Sequence, residues 1–188
     1  MASTSKKNNT TYIPSAVLVP VLIPQKNSIN QALSTIPDDA KLLFTVRTQT
    51  VEHHKGQISF PGGKFENTDQ SLLHTALRET HEEIGIEPSH VKIIQELENV
   101  PIQRSGFVVS PFVGIIHEPI QLKLSVAEID SILEVPIQHF LDPKHSALET
   151  IEHQGFNYTI KAYYFNENRI WGATAVIVDQ LLKRNQLI

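Results

Sequence analysis

The most informative stretch of this 188-residue chain is RETHEEIG, residues 78–85. An α-helix turns by about 100° per residue, so Glu79, Glu82 and Glu83 fall within about 100° of one another on its surface. Like charges at this spacing repel, and the end of a helix favours cations over acids. A divalent cation held by the three carboxylates would relieve the repulsion, and hard oxygen ligands favour Mg²⁺ or Mn²⁺. The alternative is an acidic helix face that is simply solvated.

The residues before this helix favour the metal site. Residues 66–87 contain six acids and one base, whereas residues 41–64 contain four bases and one acid. Between the two lies Pro61-Gly62-Gly63, and Pro followed by Gly suits the centre of a type II turn. Bases and free backbone N–H groups bind phosphates, and a cation on carboxylates can bridge to them. This order indicates metal-assisted phosphate chemistry, without the Gly-Lys-Ser/Thr of a P-loop.

Hydrophobic patterning predicts an α/β chain in which a sheet is covered by helices. We expect strands at residues 16–23 (broken or bent at Pro20), 41–47, 91–97, 107–116 and 157–164. We expect helices at residues 69–84, 127–133 and 173–182, the first capped by Thr68 or Asp69 and ended by Gly85. Residues 1–12 are polar and unpatterned, which predicts a disordered tail before a single domain spanning 13–188.

The composition excludes several classes of protein. The chain has no cysteine, so disulfide scaffolds, thiolate zinc sites and cysteine nucleophiles are excluded. A net charge of −4 argues against a nucleic-acid-binding protein, which needs a basic surface. The longest apolar run is too short to span a bilayer, and no secretory signal is visible. We therefore expect a cytoplasmic protein with no nucleic-acid or membrane partner.

The spacing of Gly63, Asp69 and residues 78–86 resembles the Nudix box. That box is a Gly, five residues, an acid, seven residues and Arg-Glu-U-x-Glu-Glu-x-Gly-U, where U is apolar. Here eight residues separate Asp69 from Arg78, a spacing shared by the coenzyme A diphosphatase branch of the Nudix hydrolases. Other stretches similar to that branch are residues 42–47, 56–64, 105–111, 134–137 and 171–175. The chain departs from the branch at Glu52, where an Arg is expected, and at Glu66, where an Asp is expected.

The resemblance implies an α/β/α sandwich around a mixed sheet and a metal-dependent diphosphatase. The implied substrate is coenzyme A or an acyl-CoA, cleaved to 3′,5′-ADP and (acyl-)4′-phosphopantetheine. One alternative is a diphosphatase for ADP-ribose, NADH or a similar nucleotide, which Glu52 favours. Another is a Nudix domain that senses a nucleotide without cleaving it. A small nucleotide is the partner in each case, and the oligomeric state stays open, a homodimer included.

The resemblance also implies roles for individual residues. Glu79, Glu82 and Glu83, with the carbonyl of Gly63, would hold Mg²⁺ or Mn²⁺. Arg78 would orient these glutamates through ion pairs. The general base would be a box glutamate (Glu82 or Glu83) or Glu128, for which an ordinary acid at a helix N-terminus is the alternative. The residues assigned to substrate binding are Arg47, Lys55, Gly62 and Lys64.

Overall fold

The computed structural model describes residues 12–24, 36–48, 56–153 and 155–188. Apart from Tyr12, the predicted tail therefore lies outside the described residues. Within these ranges, no helix is long and apolar enough to cross a membrane. The strands and helices are β1 (Ile13–Pro24), β2 (Lys41–Arg47), β3 (Ile58–Ser59), β4 (Gly62–Lys64), α1 (Leu72–Ile84), β5 (Lys92–Glu96), β6 (Val100–Ile102), β7 (Phe107–Glu118), β8 (Ile129–Pro136), β9 (Ser146–His153), β10 (Phe156–Phe165), β11 (Asn168–Ile170) and α2 (Ala173–Arg184).

Eight of these strands form one mixed sheet, which confirms the predicted α/β class. Its main path is β3-β2-β1-β7-β5, while β4 pairs with β1, β6 with β7, and β8 with β2. Strands β1 and β7 are parallel and pair from Ile13↔Phe107 to Pro24↔Glu118, whereas the other pairs in this sheet are antiparallel. A second, smaller sheet has the order β11-β10-β9.

Strand β1 runs unbroken through Pro20, so the predicted break or bend is wrong. Alternate backbone nitrogens of a strand point to the same side, and Leu18 N donates to Pro61 O. The nitrogen of Pro20 therefore faces the place where β1 changes its antiparallel partner from β4 to β2. A missing N–H at that junction removes no ladder hydrogen bond.

The central strand β1 is buried on both faces, and each face packs on a different helix. Val19, Val21 and Ile23 belong to a core cluster that includes residues of α2. Leu18 and Leu22 belong to a second cluster with residues of α1. Because side chains alternate along a strand, α1 and α2 cover opposite faces of the sheet. This layering agrees with the α/β/α sandwich that the resemblance implies.

The helix predicted at residues 127–133 is wrong, because Ile129 begins strand β8. Its spacing of apolar residues suits a short helix, but β8 pairs along β2 with Phe44↔Leu133 and Leu42↔Val135. Pairing with a buried strand outweighs a periodicity read over seven residues.

The predicted type II turn at Pro61-Gly62 is also wrong. The chain only bends there, because β3 and β4 pair with different strands and need no tight reversal. Gly62 has a φ of 155°, far from the roughly 80° that a type II turn requires.

Candidate active site

Helix α1 carries the acidic cluster, and its ends are defined by local signals. Ser71 caps the start, since its side chain accepts a hydrogen bond from His74 N at 3.1 Å. The prediction of Thr68 or Asp69 as the cap is therefore wrong. At the other end Gly85 has a φ of 75°, and its N–H donates to His81 O, as the sequence predicts.

Asp69 faces Arg78 instead of capping the helix. Its buried side chain accepts hydrogen bonds from Arg78 Nε on Oδ1 at 2.9 Å and from Arg78 Nη2 on Oδ2 at 3.0 Å. Thr75 Oγ1 and Glu66 N also donate to Oδ2. The hydrogen bonds from Arg78, with these further donors, hold the pKa of Asp69 well below its usual range. Asp69 thus fixes the position of the Arg78 guanidinium through two of its nitrogens.

The third nitrogen of Arg78 points at two of the box glutamates. Nη1 donates to Glu79 Oε1 and to Glu82 Oε2, each at 3.0 Å. Arg78 therefore links Asp69 to both carboxylates, which is the arrangement expected of a residue that orients them. In this network Arg78 uses one oxygen of each glutamate, which leaves Glu79 Oε2 and Glu82 Oε1 outside it.

Glu83 is the most deeply buried acid of the cluster, with 3% of its side chain exposed. Gly62 N donates to its Oε2 at 3.2 Å, and Arg47 Nη1 donates to its Oε1 at 3.2 Å. Burial raises the pKa of Glu83 to about 7, although Arg47 and the N–H of Gly62 act in the opposite direction. Burial also raises the pKa of half-buried Glu79. These two carboxylates therefore lie in surroundings that do not fully compensate their negative charge.

The donor set fits a divalent cation in its chemistry. Gly63 lies against Glu79 so closely that a Cβ there would come within 2.3 Å of Glu79 Oε1. Among the described residues, however, no group of three or more His, Asp or Glu side chains converges well enough to hold a metal ion. Glu79 and Glu82 turn to Arg78, whereas Glu83 turns to Gly62 and Arg47. The structure thus brings the predicted ligands to one side of α1, and the metal site stays a prediction.

The other predicted site residues lie at varied distances from this cluster. Glu128 lies in the turn before β8, half-exposed, with Oε2 3.8 Å from Arg47 Nη2. The alternative of a helix N-terminal acid is wrong, because no helix follows it. Lys64 is exposed on β4, and the N–H of Gly62 is already bonded to Glu83. Lys55 and Glu52 lie outside the described residues.

Sequence reasoning missed the segment that closes the end of α1. Ser125 N donates to Glu83 O and Lys123 N to Ile84 O, both at 2.9 Å. These bonds satisfy two carbonyls that a helix end leaves free. They join residues about 40 positions apart, so no local signal could have indicated them.

The chain resembles a known domain family and several known proteins. The NUDIX domain model matches residues 31–132. The chain is 32% identical over 173 residues to the uncharacterized Nudix hydrolase NudL of Photorhabdus laumondii, covering 92% of this chain and 84% of that protein. It is 34% identical over 145 residues to the mitochondrial coenzyme A diphosphatase NUDT8 of Mus musculus, covering 76% and 69% of the two chains.

The fold is likewise similar to solved structures. A MutT/nudix family protein from Enterococcus faecalis aligns with a TM-score of 0.55 at 14% identity, covering 98% of this chain and 64% of that one. Together with the box geometry on α1, the matched domain and the relatives at over 30% identity lead to one conclusion: the chain belongs to the Nudix hydrolase family.

Proposed function

We propose that the chain hydrolyses the diphosphate bond of a nucleoside diphosphate derivative, with coenzyme A or an acyl-CoA as the preferred substrate. One observation carries the proposal: Arg78, fixed by buried Asp69, holds Glu79 and Glu82 beside buried Glu83. The name of the mouse relative and the eight-residue spacing between Asp69 and Arg78 support the choice of substrate.

The residues that would hold the cation are Glu79, Glu82, Glu83 and the carbonyl of Gly63. A bound Mg²⁺ or Mn²⁺ supplies charge neutralisation on the diphosphate and lowers the pKa of a water molecule. Arg78 would hold the carboxylates of Glu79 and Glu82 in place through its hydrogen bonds to them. Glu82 or Glu83, or Glu128 beside Arg47, would accept the proton of the attacking water. Lys64 and Lys55 would bind the phosphate oxygens of the substrate, whereas the N–H of Gly62, which the sequence also assigned to substrate, donates to Glu83.

The second candidate is a diphosphatase for ADP-ribose or NADH. The observation that favours it is Glu52, which places an acid where the coenzyme A branch carries an Arg. An acid there would repel the extra phosphate of coenzyme A. The sensor alternative is less well supported, because the box keeps all three glutamates.

A substrate panel tests the proposal. Coenzyme A, acetyl-CoA, ADP-ribose, NADH and diadenosine polyphosphates are incubated with Mg²⁺ or Mn²⁺, and products are separated by chromatography. The controls are EDTA and Glu82→Gln, which keeps the shape of the side chain and removes its charge. We expect the highest kcat/KM on coenzyme A or acetyl-CoA, with adenosine 3′,5′-diphosphate as a product.

The other outcomes are equally clear. Faster cleavage of ADP-ribose or NADH would contradict the coenzyme A proposal and support the second candidate. Nucleotide binding without any product, in the presence of either metal, would contradict hydrolysis and support the sensor.

A further inference from the structure

The backbone around Arg47 is held from two sides. Arg47 N donates to Gln57 O at 3.0 Å, and Gly56 N donates to Arg47 O at 3.1 Å. Thr48 N then donates to Glu128 O at 2.9 Å. The end of β2 and the turn that carries Glu128 are therefore one hydrogen-bonded unit.

A β-bulge lies at the same place. The pairing of β2 with β8 shifts between Val46 and Arg47, which pair with Ser131 and Ile129. A bulge redirects the side chains beside it and is common next to active sites. Here the bulge lies beside Arg47, whose side chain extends from the end of β2 to Glu83 on α1.

The guanidinium of Arg47 lies between two carboxylates from different parts of the chain. Nη1 is 3.2 Å from Glu83 Oε1, and Nη2 is 3.8 Å from Glu128 Oε2. Glu83 is nearly inaccessible to water, and Arg47 itself is only 25% exposed. A buried carboxylate without a cationic partner is strongly destabilising. Arg47 is therefore needed as the cationic partner of Glu83 even when no substrate is bound.

We propose that Arg47 is a positioning residue, which acts on the reaction through Glu83 and Glu128 rather than by binding the diphosphate as the sequence alone suggests. The inference rests on the proposed function, since it assigns those two carboxylates to the reaction. A planar guanidinium can contact both acids with different nitrogens, whereas an ammonium is a point charge that can serve one of them.

Two substitutions separate the two contacts. Arg47→Lys keeps a cation for Glu83 but loses the second nitrogen, which faces Glu128. We expect its melting temperature in EDTA to stay within about 2 °C of wild type. We expect its kcat to fall about 10-fold or more with KM changed less than threefold, because a transition-state arrangement is lost and substrate binding is not.

Arg47→Met removes the cation altogether. The melting temperature in EDTA should then fall by on the order of 10 °C, because Glu83 is left buried and unpaired. Adding Glu83→Gln to Arg47→Met should restore most of this loss, since the unpaired charge is removed. The matched control is Arg104→Met, since Arg104 is exposed in the turn before β7. This variant should change neither the melting temperature nor kcat.

Kinetics are measured with saturating Mn²⁺ on the substrate of the panel that the wild type cleaves fastest. A KM raised 10-fold at constant kcat in Arg47→Lys would overturn the proposal and make Arg47 a diphosphate contact. An unchanged melting temperature in Arg47→Met, or no recovery on adding Glu83→Gln, would overturn the pairing with Glu83. A wild-type chain that cleaves nothing overturns the proposed function instead, and the unfolding series in EDTA still decides the pairing.

Discussion

Replacing Gly63 by Ala should lower activity about 100-fold while leaving the fold intact. The added Cβ would lie 2.3 Å from Glu79 Oε1 and 2.4 Å from Glu79 Cδ, whereas ordinary contact begins at 3.4 Å. The carboxylate must therefore retreat by about 1 Å, which it can do because it ends a flexible side chain. A misplacement of about 1 Å in a catalytic group costs roughly 100-fold in rate. This corresponds to about 2.7 kcal/mol in activation free energy.

The assay has two readings, turnover with Mn²⁺ and the melting temperature in EDTA. We expect Gly63→Ala to lose about 100-fold in kcat/KM and to melt within a few degrees of wild type. Gly62→Ala is the contrasting variant, because its Cβ would meet backbone atoms: Ala16 O at 2.3 Å and Val17 Cα at 2.6 Å. Backbone cannot rotate away, so this variant should lose stability. A Gly63→Ala protein with wild-type turnover would refute the placement of Glu79 in the reaction.

Three further predictions concern stability. The pKa of Glu83 is raised to about 7, so the folded state binds its proton more tightly than the unfolded state, and the apo protein should lose up to about 3 kcal/mol of stability as pH rises from 4.5 to 7. In urea unfolding with EDTA, the stability of Glu83→Gln relative to wild type should increase between pH 5 and pH 7.5. Parallel curves for the two proteins would contradict the buried carboxylate. Ser71→Ala removes the cap of α1 and should cost about 1 kcal/mol, or 2–4 °C in melting temperature, with turnover unchanged; a loss below 0.3 kcal/mol would argue against the cap. Asp69→Asn breaks a buried ion pair and should cost about 3–5 kcal/mol in urea unfolding together with most of the turnover; a stable, active variant would show that Arg78 needs no anchor.

Some of the fold could be predicted from local sequence and some could not. Strand β2 was predicted with the bounds that the structure has, because its residues are apolar on both faces and the strand is buried. The end of α1 at Gly85 was also predicted, since a left-handed residue after a helix has a strong local signal. The apolar spacing of residues 127–133 predicts a helix where the structure has the start of strand β8, because the pairing of β8 with β2 is a contact across some 90 residues.

In the candidate site, too, the local features could be predicted from the sequence and the long-range contacts could not. The placement of Glu79, Glu82 and Glu83 on one side of α1 follows from helix geometry alone. The partners of Glu83 do not, because Arg47 is 36 residues away in the chain and Gly62 is 21 residues away. Ser71 as the cap was missed although it is local, since Asp69 two residues earlier carries a competing capping signal and is used by Arg78 instead.

The contacts of Arg78 and Arg47 explain both why the acidic helix α1 is stable and why its carboxylates are held in place. Within α1, Arg78 compensates Glu79 and Glu82, but it needs Asp69 from the preceding loop to hold its own position. Glu83 lies too deep for Arg78 and takes its cation from β2. The contacts that let α1 fold without a metal therefore join its Arg78 to Asp69 of the preceding loop and its Glu83 to Arg47 of β2. A substitution that removes one of these contacts should both destabilise the helix and misalign its carboxylates. Asp69→Asn and Arg47→Met should therefore lose stability and turnover together, whereas Ser71→Ala should lose stability alone.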